Sequence, residues 1–331
     1  MNTARAPAWR VLVDGRDLTE RFRPRLLELT LTEARGKEAD QLDLKIHDHD
    51  GALDLPQRGA EISVALGWAA SGLIEKGRFK VDECGHSGPP DIVTVRARSA
   101  DLTHQLRNRR ARSWHATTLG QILQTLAGEH GLQARIAPEL ARIDIAHIDQ
   151  TNESDVHFLT RLGDRFDAMA TVKAGALLFS PIGAGVTTSG LQLPGVSLKR
   201  SDGDSHDWSE ADRDRYDGVS AQWDDGAGAR KRTVTSGGNG NAKRLKRTYG
   251  SEKEAREHAD AEWNRVQRGG AKLTLNLAHG RADIYPEQPV RVQGFKPEMD
   301  ATEWLVERAV HTVTGAQGFR TQLEMEARVR R

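Results

Sequence analysis

The sequence is poor in the features that most often announce a chemistry. Cys84 is the single cysteine, which excludes an intrachain disulfide and any multi-cysteine metal site. Aromatic residues make up only 5% of the 331 residues. No run of eighteen apolar residues is present, and Met1 to Trp9 lacks the apolar stretch of a secretory leader, so no membrane insertion is expected. The charge balance is equally neutral: 48 Lys and Arg against 47 Asp and Glu give no bulk attraction to nucleic acid or an anionic surface. Missing too are an H-E-x-x-H run, a G-x-S-x-G elbow and a phosphate-binding loop. No cofactor, no metal and no catalytic residue is expected. The chain reads as one kept in the cytoplasm, or one that leaves the cell only as part of a particle.

What is present is pattern. The length calls for two or three domains. Residues 10–105 alternate apolar and polar positions in short runs: Val11–Val13, Leu27–Leu31, Leu42–Ile46, Ile62–Leu66, Phe79–Val81 and Ile92–Val95. Gly- or Pro-rich turns separate them, as in a small barrel or sandwich. Residues 116–181 change character. Thr117 or Thr118 caps a helix whose Leu119, Ile122, Leu123 and Leu126 share a face, with Gly131 as its stop. A strand over Ile143–Ile148, a second helix after Ser154 and a strand-like stretch over Ala170–Phe179 follow.

Beyond residue 200 the composition breaks. Nine acidic residues lie between Ser201 and Gly228, and seven basic ones with no acidic residue between Ala229 and Arg247. Residues 225–247 are expected to form a long, mobile charged loop with its tip near Gly238. Ser251 and Glu254 make a capping box for a helix over 252–266. Strands return at Leu273–Leu277, Val290–Val292, Trp304–Val313 and Thr321–Ala327. Leu42–Ile46, Val64, Phe79–Val81 and Ile92–Val95 match Leu273–Leu277, Val290–Val292, Trp304–Val306 and Thr321–Leu323 in spacing, which suggests one strand unit present twice.

The most distinctive stretch is Gln150-Thr151-Asn152-Glu153-Ser154-Asp155, a polar hinge running into a helix with Phe158, Leu162 and Phe166 on one face. Asn152 and Ser154 are candidate caps, and Glu153 and Asp155 place negative charge at the positive end of the helix dipole. Gln150, Asn152, Glu153, Ser154 and Asp155 are therefore the candidate site, with structural roles or a partner contact as the alternatives. Trp304, like Trp114 and Trp263, is a packing anchor or an interface anchor. His47-Asp48-His49-Asp50 places only alternate residues on one face, and reads as a polar strand end turning at Gly51. The Arg230–Arg232 and Lys243–Arg247 clusters read as a solvated segment beside its acidic neighbour. No recognition-helix module marks specific nucleic-acid binding.

Together with Val13-Asp14-Gly15, Leu18-Thr19, Ala39–Leu44, Leu55–Gly59, Thr117-Thr118-Leu119, Trp304-Leu305-Val306 and His311, the stretch Gln150–Leu162 resembles the phage late control gene D family. Its members are baseplate hub proteins of contractile tails and of phage tail-like bacteriocins. The resemblance covers nearly the whole chain. It implies an α+β, mainly β fold: a first β-barrel over 1–110, a compact α/β insertion over 111–200 and a second barrel over 201–331. It further implies a homotrimeric ring with a central channel, placed between the hexameric tail tube and the trimeric central spike. Tape measure and baseplate wedge proteins are further expected neighbours. Assembly would take place in the bacterial cytoplasm, and the protein would end in the virion or tail-like particle. Such an adaptor is not an enzyme. A tail-associated peptidoglycan hydrolase and a DNA-binding regulator are the competing functions.

Overall fold

The computed structural model describes residues 6–36, 38–99, 106, 108–173, 175–210, 216–226, 228 and 230–328. The N-terminal elements are β1 (Pro7–Val13), β2 (Arg16–Asp17), α1 (Thr19–Phe22), β3 (Leu26–Ala34), β4 (Gln41–His47), β5 (Glu61–Trp68), β6 (Gly72–Ser87) and β7 (Ile92–Ser99). Each alternating run read from the sequence lies inside one of these strands. Their inward positions, including Val11, Leu29, Leu31, Leu42, Leu44, Ile62, Val64 and Phe79, form one apolar core, because side chains two apart share a face.

The chain then leaves this sheet. It forms β8 (Arg109–Thr118), α2 (Leu119–Glu129), β9 (Gln133–Ile136), α3 (Pro138–Ala141), β10 (Asp144–Ser154), α4 (Asp155–Phe166), β11 (Ala168–Lys173) and β12 (Ala176–Pro181). β8 pairs with β10, and β11, β12 and β9 make a separate three-stranded sheet. Thr118 starts α2 with a reciprocal capping box through Gln121, which satisfies two amides that the first turn leaves free. This block has its own core, with Leu119, Ile122, Leu126, Phe158, Leu162 and Phe179 fully or almost fully buried.

The remainder comprises β13 (Val196–Lys199), β14 (Gly203–Glu210), β15 (Gly218–Asp225), β16 (Arg230–Gly237), β17 (Ala242–Tyr249), α5 (Glu252–Gly269), β18 (Ala271–Leu277), β19 (Pro289–Gln293), α6 (Pro297–Asp300), β20 (Glu303–Thr314) and β21 (Gly318–Ala327). The expected mobile loop over 225–247 is instead two strands. β16 runs antiparallel to β15, and β17 runs parallel to it. Val219, Ala221, Val234 and Tyr249 pack this small sheet onto Ala255 and Ala259 of α5. The basic residues Arg230, Lys231 and Arg232 are exposed, so the segment looks like a solvated loop while β16 and β17 each pair with β15.

The strand-rich fold expected from the sequence is present, but the two barrels are not separately closed. β1–β7 join β13, β14 and β18–β21 in one 13-stranded sheet, and no sheet closes on itself among the described residues. Its strands run β14-β18-β21-β20-β3-β4-β7-β6-β5-β1-β2, with β19 on a second stretch of β20 and β13 on β19. Within it one pairing scheme occurs twice. In the N-terminal unit β3 pairs β4, β4 pairs β7, β7 pairs β6 and β6 pairs β5. In the C-terminal unit β14 pairs β18, β18 pairs β21, β21 pairs β20 and β20 pairs β19, all antiparallel. Two of the irregularities repeat as well. A bulge lies between Val81 and Glu83 in one unit and between Val306 and Arg308 in the other. A second lies between Leu26 and Glu28, and between Gly203 and Ser205. Bulges are specific features of a ladder, so their recurrence aligns the two units residue by residue: Phe79 with Trp304, His86 with His311, Glu33 with Glu210. The units part company outside this scheme, since β1 meets β5 antiparallel but β13 meets β19 parallel.

Candidate functional site

Three polar clusters are built into the interior. The first surrounds the stretch singled out in the sequence. Gln150 to Ser154 is not a free hinge: it is the last part of β10, paired with β8 as far as Ser154 opposite Arg109, with a bulge between Gln150 and Glu153. Asn152 sits in that bulge with φ +48°, a left-handed conformation that Asn tolerates better than most residues. It is therefore no helix cap. Ser154 is the cap, its Oγ accepting the His157 amide at 3.3 Å. Asp155 follows as the first residue of α4 and is completely buried.

Four groups converge on Asp155. Arg112 Nη2 donates at 2.9 Å and Gln150 Nε2 at 2.8 Å to one carboxylate oxygen, and His130 Nε2 lies 2.7 Å from the other. Arg110 adds charge at 3.5 Å. Burial by itself pushes the Asp155 carboxyl up. The hydrogen bonds from Gln150 and His130 and the two arginine charges outweigh it, so the acid is held below the usual carboxylate range. Gln150, also fully buried, accepts from Arg112 at 2.8 Å and donates to the Glu153 carbonyl at 2.9 Å. Glu153 turns outward to Arg161 of α4 at 2.8 Å. The result is a clamp that locks β8, β10, the end of α2 and the start of α4.

Glu129, His130 and Asp155 bring three potential ligand atoms within 4.8 Å of one another. A divalent cation there would face Arg110 and Arg112, which already donate to Glu129 at 2.7 and 2.8 Å. The donor set is that of a counter-charged structural cluster rather than of a cation site. At the other end of the first sheet, Asp48 is buried and accepts the Leu53 amide at 3.1 Å, while Asp50 takes Arg25. His47 stacks on His49 at the strand end before Gly51, as the strand-end reading requires.

The second cluster lies where the repeated units meet. β3 of the N-terminal unit pairs with the later part of β20, which places Ala309 opposite Glu33 and His311 opposite Leu31. Glu33 is on the buried face, in phase with Leu29 and Leu31. Its Oε2 lies 3.2 Å from His311 Nε2 and makes an ion pair with Lys76. Lys76 reaches on to the Ala282 carbonyl at 3.0 Å, and His311 Nδ1 meets the Thr321 hydroxyl at 2.9 Å. Burial opposes the charge on Glu33, but His311 and Lys76 prevail and lower its pKa to about 2. Burial and Lys76 keep His311 below its ordinary value, hence neutral at pH 7, and the Lys76 ammonium balances Glu33. Sequence reading passed over Glu33 and Lys76, although a carboxylate in phase with Leu29 and Leu31 was a usable signal.

Trp304 is a packing anchor: fully buried, with its indole N–H on the Met299 carbonyl at 3.0 Å. A third set, missed in the sequence, ties the middle block to the sheet. Arg35 contacts Glu287 at 2.5 Å and also pairs with Glu326, while Arg268 of α5 reaches Asp167 at 2.7 Å and Glu326 at 3.1 Å. A cleft of about 490 Å³ opens beside Asp14, Arg21 and Asp54, but the Asp14 carboxylate is engaged with the Glu61 amide at 2.9 Å. The buried charges thus serve to join elements.

The chain and its fold have known counterparts. The family described as phage tail baseplate hub (GPD) matches residues 26–317. The chain belongs to this family. A probable baseplate hub protein of Escherichia phage 186 is 40% identical over 368 residues, covering 99% of this chain and 94% of that protein. The corresponding protein of Escherichia phage P2 is 41% identical over 363 residues, covering 98% and 94%. Among solved structures, a tail protein from Neisseria meningitidis MC58 shares the fold with a TM-score of 0.71 at 14% identity, over 97% of this chain and 96% of that one. The hub therefore resembles proteins of its own kind along its whole length. No helix among the described residues is long and apolar enough to cross a membrane.

Proposed function

We infer that this hub is a non-enzymatic adaptor: three copies form a ring with a central channel, joining the hexameric tail tube to the trimeric spike of a contractile particle. One observation carries the reading. A single chain holds the same strand-pairing scheme twice, with two of its bulges repeated. A six-fold tube end cannot make equivalent contacts with a three-fold body unless each subunit of that body offers two similar surfaces. Three chains with two units each offer six. The ring carries load when the sheath contracts, and the buried ion pairs that bind the middle block to the sheet suit that task. Tape measure and wedge proteins are further neighbours in this reading. Assembly proceeds in the bacterial cytoplasm before the hub is built into the particle.

The test is co-expression with the candidate spike, followed by light scattering on the purified complex. The expected mass is three copies of the 36.5 kDa chain plus one spike trimer. A stable monomer indifferent to the spike would overturn the adaptor reading, and murein clearing by that monomer would favour a lytic role instead.

A further inference from the structure

Two pairs of surface histidines stack ring on ring with their Nδ1 atoms facing. His47 and His49 lie along β4 and the turn after it, with Nδ1 atoms 3.3 Å apart. The adjoining Asp50 is taken by Arg25. His115 and His147 differ. They are 32 positions apart in sequence, so no spacing announces them, and the pairing of β8 with β10 sets them directly opposite each other. Their ring centroids are 4.5 Å apart with planes at 30°, and their Nδ1 atoms are separated by 3.1 Å. Ser113 and Asp149 form the next pair on the same face, since residues two apart along a strand point the same way. All four are exposed, while Arg112, Ile148 and Gln150 of the same two strands face the buried clamp.

We propose that His115 Nδ1 and His147 Nδ1 chelate one divalent transition-metal ion of the zinc, copper or nickel type across the β8–β10 ribbon, with Asp149 as the carboxylate that orients His147. Two imidazole nitrogens on a tetrahedral Zn²⁺, each at about 2.0–2.1 Å, stand about 3.3 Å from each other. The observed 3.1 Å needs only a small rotation of the rings to match. The tautomers follow from the partners. One Asp149 oxygen accepts the Ser113 hydroxyl at 2.5 Å, and the other lies 3.1 Å from His147 Nε2. A carboxylate only accepts, so neutral His147 carries its proton on Nε2 and presents a lone pair at Nδ1. His115 then donates its Nδ1–H to that lone pair, and its own Nε2 has no partner among the described residues. A metal ion takes the place of this one shared hydrogen. The His115 proton moves from Nδ1 to Nε2 through water, both rings stay neutral, and two lone pairs face the ion. A carboxylate behind a ligating histidine is the usual outer partner of such a site, fixing the ring and raising its basicity. Arg161 does not compete for it: its guanidinium meets the Asp149 backbone carbonyl at 2.6 Å and pairs with Glu153. Imidazole ligands select zinc, copper or nickel over magnesium and calcium. The rest of the shell is open to water, and the bound ion staples β8 to β10 on the face opposite the clamp.

The test is calorimetric titration of ZnCl₂ and, separately, MgCl₂ into the full chain after treatment with a chelator. Zinc should bind at this pair and magnesium should not. His115→Ala and His147→Ala should each weaken zinc binding by more than about tenfold, and Asp149→Asn by about tenfold, as loss of a carboxylate behind a ligating histidine does. These side chains are exposed, so melting without metal should stay near that of the wild type. Zinc should raise the melting temperature of the wild type and leave that of His147→Ala unchanged. The double variant His47→Ala, His49→Ala is the control and should keep the titration. Electron paramagnetic resonance with Cu²⁺ in place of zinc reads the same site without any substitution, and splitting from two nitrogens is the expected signal. A wild-type chain that binds no zinc would overturn the proposal and leave the pair as a hydrogen bond only. Binding of equal strength in His115→Ala and His147→Ala would overturn it as adventitious surface contact. Binding lost only in the His47→Ala, His49→Ala variant would assign the ion to the other pair and overturn it too.

Discussion

The two units of the large sheet share a pairing scheme but spend their loops differently. Between the first and second strands of the N-terminal unit, β3 and β4, the chain spans only residues 35–40. Between the corresponding β14 and β18 it inserts a three-stranded sheet and the 18-residue helix α5. The seam differs in the same sense. Where β3 lies on β20, Glu33, Lys76 and His311 are enclosed together, while the equivalent His86 and Glu210 face outward. A repeated scaffold fixes strand order and bulges; inserts and buried charges then make its two halves unlike. That is how one chain can offer two similar surfaces and still mark which is which.

The comparison can be broken most forcefully at the cores. Trp304→Ala and Phe79→Ala remove fully or almost fully buried rings at equivalent positions, and each should cost about 3–5 kcal/mol. Denaturant unfolding of the two variants measures this. A near-neutral Phe79→Ala would show that the units are not packed alike. Next come the buried charges. Glu33→Gln strips Lys76 of its counter-ion at a site only 4% and 8% exposed, for a loss of about 3 kcal/mol. Glu210→Gln on the exposed edge should stay within about 0.5 kcal/mol in the isolated chain.

Acid titration probes the buried position. The folded pKa of Glu33, about 2, lies below its ordinary 4.5, so the native state binds this proton less well than the unfolded chain. Its stabilisation is complete above about pH 4.5 and is lost as pH falls toward 2. Thermal melts of wild type and Glu33→Gln should therefore converge across that window. Asp155→Ala, which leaves Arg112 and His130 facing an empty buried position, should cost about 3 kcal/mol at neutral pH. The smallest effects distinguish cap from bulge. Ser154→Ala should cost about 1 kcal/mol, whereas Asn152→Gly, at positive φ, should be neutral within a few tenths of a kcal/mol.

Elements whose reason is local were legible in the sequence. The strands from Val11 to Val95 follow from two-residue alternation, and α2 and α5 start at Thr118 and Ser251 because those hydroxyls accept first-turn amides. Three things were not legible. β16 carries Arg230-Lys231-Arg232 on exposed positions, so its hydrophobic period covers too few residues to signal a strand. Asn152 looks like a cap because caps and left-handed bulge positions favour the same residue. The single 13-stranded sheet depends on β3 meeting β20, a pairing set by the whole fold and by no local pattern. Of the candidate site, Gln150 and Asp155 lie in one buried cluster, but their partners Arg112 and His130 come from other elements, which spacing along the chain does not reveal.

The meeting of β3 with β20 also sets a timetable. Glu33 and His311 are 278 positions apart, so β3 emerges from the ribosome with one edge vacant until a further 278 residues have been made. At about 5–20 residues per second that interval lasts on the order of tens of seconds. During it the N-terminal unit is an open-edged sheet in a crowded cell, and any chain broken off before Thr314 keeps that edge for good. Synthesis of β20 is thus the event that seals the first unit, and copies that lack it are left with an edge that other chains can join.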